Sequence, residues 1–194
     1  MPCNRTSPFR RQRGFTLVEV AIVAAIVLIA AIVGIPAING YIIENKVPPV
    51  AQELQRFVAR TKAANQGLGT TPYTGLGAAQ LASALRSSSV LAVSGAGAAA
   101  VVSHGLGATD GRVVLASDTI TTAGDAFMLT LDKVNEAACP SLAAVMQRVS
   151  ERISINGTSV KQPGTGGMTG VYDAAGAAGA CASGDANTFV FSAR

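Results

Sequence analysis

The sequence predicts an α+β chain, in which a long N-terminal helix packs on a small antiparallel sheet. Three observations predict it. Residues Val20–Ile43 are uncharged and mostly aliphatic. Val50, Leu54, Phe57, Val58 and Thr61 then recur on one helical face, with Gln52, Glu53, Gln55, Arg56 and Arg60 on the other. Beyond Gly111, short β-branched or alternating runs are separated by turn signals, among them Asn156-Gly157.

The apolar run comes first. At ~1.5 Å per residue, its 24 residues exceed the ~30 Å hydrocarbon core of a bilayer, so it reads as a spanning helix. A cleaved secretory signal is the competing reading. Its core would be shorter, ~7–15 residues, and followed by a small-residue site; Tyr41-Ile-Ile-Glu-Asn-Lys fits that poorly. Proline removes a backbone donor and clashes with the preceding turn, so kinks or local unwinding are expected at Pro36 and Pro48-Pro49. The amphipathic continuation runs to Gln66, and Gly67 and Gly69 end it.

The remaining residues, 67–194, form the head. Ala78–Ser87 suits a short helix with Leu81 and Leu85 on one face, and the rest of Gly67–Gly111 reads as irregular. Gly105-Leu-Gly107 lacks the strand–turn–helix setting of a phosphate loop and reads as a flexible connection. Arg112–Ala116 and Ala126–Leu131 are predicted strands. Pro140–Ser150 is a predicted helix, with proline in its first turn and Leu142, Val145, Met146 and Val149 on one face. Ile153–Val160 is a hairpin about Asn156-Gly157, Lys161–Gly170 a loop and Thr188–Ser192 the last strand.

Charge and composition exclude several functions. The formal charge is +4, but Arg5, Arg10, Arg11 and Arg13 precede Gly14 and no acid does, so the chain from Phe15 onward is balanced. A basic nucleic-acid face is therefore not expected. Arginines beside an apolar segment read instead as a cytoplasmic topology signal. That places the head outside the membrane, where disulfides persist, and leaves Cys139 and Cys181 as the available pair; two buried free thiols are the competing reading. Such a bridge closes a loop of about 40 residues and contributes roughly 3–4 kcal/mol in the chain-entropy model. His104 is the single histidine. Asp110, Asp118, Asp125 and Asp132 are dispersed and read as solvated turn residues, so no acid/base set, metal site or cofactor is expected and the chain is not expected to be an enzyme.

Glu19 is the one charged residue between Gly14 and Glu44. A carboxylate carried to mid-bilayer costs roughly 2.5–3.5 kcal/mol, so its presence calls for a reason. An interfacial acid favoured by the helix macrodipole is the plain one. The other requires a cut between Gly14 and Phe15. The new amine at Phe15 then pairs with Glu19 of a neighbouring subunit inside an apolar helix bundle. There, leaving either charge unpaired is costly, so one axial register is selected.

Arg13-Gly14-Phe15-Thr16-Leu17-Val18-Glu19 resembles the class III signal of type IV prepilins. The resemblance runs from Arg13 to about Gln66 and includes Pro36, at the spacing where many pilins carry a helix-kinking proline. It implies a type IV pilin fold, with residues 1–14 as a leader, 15–66 as the long helix and 15–43 as its transmembrane and filament-core part. It further implies removal of the leader after Gly14 by a membrane peptidase that also methylates Phe15, and subunit docking guided by Glu19. The Cys139/Cys181 pair resembles the disulfide-bounded D-region of pilins, and the helix after the first cysteine is similar to the type IVb class. The implied function is a structural subunit of a helical filament. The subunit would be held in the inner membrane with its leader cytoplasmic and its head periplasmic, then passed by the assembly machinery to an extracellular pilus. A minor pilin or a type II secretion pseudopilin shares the signal, and an uncleaved membrane-anchored binding protein is the alternative of another kind.

Overall fold

In the computed structural model, residues 14–164 and 170–194 are described, Pro36 and Ala37 by their backbone only. The leader up to Arg13, with Cys3, and the middle of the Lys161–Gly170 segment lie outside the described residues. The chain divides into two compact units, Met1–Ile38 and Asn39–Arg194.

One helix, α1 (Leu17–Asn65), belongs to both units. It is unbroken across Pro36 and across Pro48-Pro49, so the local unwinding expected at these prolines does not occur. Each proline removes one donor from the ladder, and the bonds of the flanking turns keep the segment helical. In the first unit the apolar side chains stand exposed all round the helix, from Leu17 (86%) to Val33 (68%). A helix apolar on every side needs lipid or protein around it. Among the described residues α1 is the one helix long and apolar enough to cross a membrane.

In the second unit the predicted stripe is buried: Val50, Leu54, Phe57, Val58 and Thr61, joined by Val47 and Ala51. Gln52, Arg56 and Arg60 stay exposed. Gln55, on the face expected to be wet, instead donates from Nε2 to the Val145 carbonyl at 2.8 Å.

Seven strands follow: β1 (Ala92–Ser94), β2 (Val101–Ser103), β3 (Arg112–Thr119), β4 (Ala123–Val134), β5 (Arg152–Ile155), β6 (Thr158–Lys161) and β7 (Asn187–Ala193). They form one antiparallel sheet in the order β1-β2-β3-β4-β7-β5-β6, larger than the small sheet expected. The register sets Leu115 beside Leu129, Leu129 beside Phe191 and Phe191 beside Ile153. One row to the side, Val113, Leu131, Phe189 and Ile155 do the same. These eight side chains make one buried sheet face, which shares a single core with the α1 stripe. The opposite face carries half-buried Met128, Thr130 and Val190, as an antiparallel sheet with one wet face should.

Short helices complete the head: α2 (Ala78–Leu85), α3 (Cys139–Met146) and α4 (Ala174–Ala180). The helix at Ala78 is as predicted, with Leu81, Ala82 and Leu85 buried. The helix expected to reach Ser150 stops at Met146, and the chain turns there into β5. Asn156 (φ 52°) and Gly157 (φ 81°) make the predicted hairpin turn, both in the left-handed region that a type I′ turn requires.

Three further expectations are corrected. Gly67–Gly111 is not irregular outside α2, because Val93 and the Val101-Val102 pair build β1 and β2. Gly105-Leu-Gly107 is not a flexible connection. Leu106 is fully buried, Gly107 bridges to Val134, and a Cβ on Gly107 would lie 2.2 Å from the Lys133 carbonyl oxygen. The aspartates are not merely solvated. Asp118 binds Arg152 at 2.6 Å, Asp125 accepts the N–H groups of Ile120, Thr121 and Thr122, Asp132 accepts the Arg112 N–H, and Asp110 pairs with Lys133.

Candidate functional site: the start of the long helix

Gly14, Phe15 and Thr16 precede α1 without regular secondary structure, and Phe15 is 83% exposed. Glu19 sits in the first helical turn, where its charge complements the positive end of the helix. Thr16 and Glu19 cap that turn reciprocally. The Glu19 N–H donates to Thr16 Oγ1 at 3.3 Å, and the Thr16 N–H and hydroxyl each donate to Glu19 Oε2 at 3.4 Å. This is a capping box, two otherwise unpaired N–H groups satisfied by one threonine–glutamate pair. The spacing Thr16-Leu-Val-Glu19 is the sequence signature of such a box. The groups are long-bonded and exposed, so the carboxylate can exchange these partners for a stronger one.

Phe15, Glu19, Val20, Val23, Ala24 and Val27 line one groove along the helix, of about 460 Å³. The carboxylate is therefore the one charge on an otherwise aliphatic strip, and the residue that would carry the new amine lies at the head of the same strip. Pro36 lies within α1, further along the same unit.

Cys139 and Cys181 belong to the other unit and are bonded to each other, their Cα atoms 6.0 Å apart. Cys139 opens α3 and Cys181 directly follows α4, so the bridge ties together two helices that already pack on one another. Around it, Asn187 is fully buried. Its Nδ2 donates to the Val134 and Ala182 carbonyls, and its Oδ1 accepts from the Ala182 N–H and from Asn156 Nδ2. Lys161, also buried, donates from Nζ to the carbonyls of Gln147 at 2.6 Å and Ser150 at 2.7 Å, at the negative end of α3. No sequence motif points to Asn187 or Lys161, because most of their partners are backbone groups that only the folded chain brings to them.

His104 is packed inside the head. Its Nδ1 accepts the Leu106 N–H at 3.2 Å, which leaves Nε2 to donate to the Asp132 carbonyl at 2.7 Å. Burial lowers its pKa below the ordinary value, against the smaller opposing effects of the Asp132 carbonyl and charge. Both ring nitrogens are thus in structural use.

Two family descriptions fit this chain. Residues 9–35 match the prokaryotic N-terminal methylation motif, and residues 50–194 match the family described as PilS N terminal. The chain belongs to the type IV pilins. In shape this pilin is similar to the crystal structure of a type IV b pilin from Salmonella typhi. The two share 25% sequence identity, and the match covers 73% of this chain and 95% of that one with a TM-score of 0.52. No curated protein matches it. The long helix, the antiparallel sheet and the Cys139–Cys181 disulfide agree with that relationship. Family and fold are those of structural pilins.

Proposed function

We propose that this pilin is the repeating subunit of a type IV pilus. A membrane peptidase cuts between Gly14 and Phe15 and methylates the new amine. The inner membrane holds residues 15–43 until the assembly machinery extracts the subunit, and the helices then pack side by side in an extracellular filament. The observation that carries this reading is the exposed aliphatic helix with one carboxylate, Glu19, next to the residue that becomes the N-terminus. Within a bundle of such helices the carboxylate of one subunit pairs with the Phe15 amine of the next, and the pairing sets the axial register because an unpaired charge there is costly. Pro36 weakens the helix ladder where the bundle must curve. The head, residues 67–194, forms the outer surface, stapled by Cys139–Cys181.

Mass spectrometry of the N-terminal peptide of the assembled protein tests this reading. It should begin at Phe15 and carry one added methyl group. A peptide beginning at Met1, or after residue 43, contradicts processing at Gly14.

A further inference from the structure

We propose that a cleft at the C-terminal end of α1 binds the carboxylate group of a small organic acid. The cleft has a volume of about 440 Å³, within the span typical of small-molecule sites. Its lining includes Lys62, Asn65, Pro72, Tyr73 and Arg194, and no acidic residue.

The two cations differ in their commitments. Arg194 is engaged. Its Nε lies 3.0 Å from Glu151, and its Nη1 lies 3.6 Å from Asp125 and donates to Thr121 Oγ1 at 3.1 Å. Lys62 has neither an acid within ion-pair distance nor a hydrogen-bond acceptor among the described residues, although burial already pulls its ammonium below the ordinary pKa, against the raising effect of Glu151.

Tyr73 supplies an independent observation. It is only 5% exposed, and its ring packs on Phe127 with centroids 4.9 Å apart. Its hydroxyl has no hydrogen-bond partner among the described residues. Nor is that hydroxyl sealed, since among the described residues the one unbonded side-chain oxygen fully shut from solvent is that of Ser150. The phenol therefore presents a donor to the cleft that it lines. A carboxylate has two oxygens to offer. One meets the Lys62 ammonium in a charge-assisted bond and the other the Tyr73 hydroxyl. Pro72 and the Lys62 stem give the carbon skeleton an apolar wall. Asn65, whose Nδ2 is committed to the Thr61 carbonyl at 2.8 Å, retains its Oδ1 as an acceptor for a ligand hydroxyl.

Galacturonic acid, galactose and glutaric acid are the probes, titrated into the full chain in detergent micelles and followed by saturation-transfer NMR. Galacturonate should bind about tenfold or more tightly than galactose, which lacks only the carboxylate. Lys62→Met and Tyr73→Phe, which keep the stem and the ring, should each weaken galacturonate by a similar factor and leave galactose unchanged. Glutarate binding as well as galacturonate supports an acid without a sugar as ligand, and weaker glutarate binding supports a sugar acid. Equal binding of galacturonate and galactose, or unchanged galacturonate binding by both variants, overturns the proposal.

Discussion

Asn156 donates its side-chain N–H to Oδ1 of Asn187 across 2.9 Å, joining the turn of the β5–β6 hairpin to the first residue of β7. The same Asn156 accepts the Thr188 N–H on its Oδ1 at 2.8 Å, so the two chain segments are held in both directions. With its four bonds met, Asn187 is a fully satisfied buried amide. Removing it strands the Val134 carbonyl in the core, at about 1–3 kcal/mol for an unpaired buried group, and leaves the part-buried Ala182 groups and the exposed Asn156 amide to water. Asn187→Ala should therefore lower stability by about 2 kcal/mol, or roughly 4–8 °C in melting temperature for a chain of this size. A melt within about 2 °C of wild type, within the cost of an ordinary surface change, would contradict the network's role.

The Cys139–Cys181 bridge spans 42 positions and encloses α3, the hairpin and α4. The chain-entropy model gives roughly 4 kcal/mol for a loop of that length, which corresponds to a fall of about 8–16 °C on removal. Cys139→Ala/Cys181→Ala, melted beside wild type, tests this directly. The loss should be confined to the second unit, so helix signal from the apolar half in micelles should persist. Melting unchanged by the double substitution would mean that the packing of α3 on α4 alone closes the loop.

Stability should fall in two steps as pH is lowered. His104 is held neutral by burial, below its ordinary pKa. The unfolded chain takes up that proton first, at about 6.5, so the stability due to His104 is complete above that value and declines as pH drops through it. Asp118 shifts in the same sense for another reason. Burial alone would raise its carboxyl, but hydrogen bonds from Ser192, the Thr119 N–H and Arg152, with the Arg152 charge, outweigh burial and hold it below the usual value. Its contribution is complete above about 3.9, the unfolded value, and is lost as pH falls through the folded one. Urea midpoints measured from pH 8 to pH 3 should show both declines, and His104→Gln should remove the first. A rise in stability between pH 7 and pH 5 contradicts the buried neutral imidazole.

Much of this fold was legible because its determinants are periodic. The α1 stripe at Val50, Leu54, Phe57 and Val58 and the Asn156-Gly157 turn are local patterns that burial and φ > 0 impose directly. The features without a local signature are non-local. Strands β1 and β2 have three residues each and gain their identity from pairing, β2 with β3 and β1 with β2, so Val93 and Val102 carry little signal alone. Helix α4 reads as a glycine-rich loop, AAGAAGA, and is held by the Asp173 cap and the adjacent bridge. Asp118 looked like a turn residue because Arg152, its partner, lies 34 positions away. At the helix start the bare charge of Glu19 in an apolar run is plain in the sequence, whereas its cap with Thr16 is shown by the structure; the cap and the proposed pairing are its two roles.

Those two roles separate in one substitution. Glutamine at position 19 retains an oxygen for the Thr16 N–H and hydroxyl, and capping boxes accept it, but it carries no charge to pair with a neighbour's amine. Glu19→Gln subunits should reach the membrane at wild-type levels, with the head folded and the helix start intact. Filament yield, measured by shearing and by electron microscopy, should fall about tenfold or more, as expected for an unpaired amine left in an apolar bundle. Filaments at wild-type yield from the Glu19→Gln chain would show that Glu19 only caps its own helix, and would contradict the proposal that it is the pairing charge of the pilus.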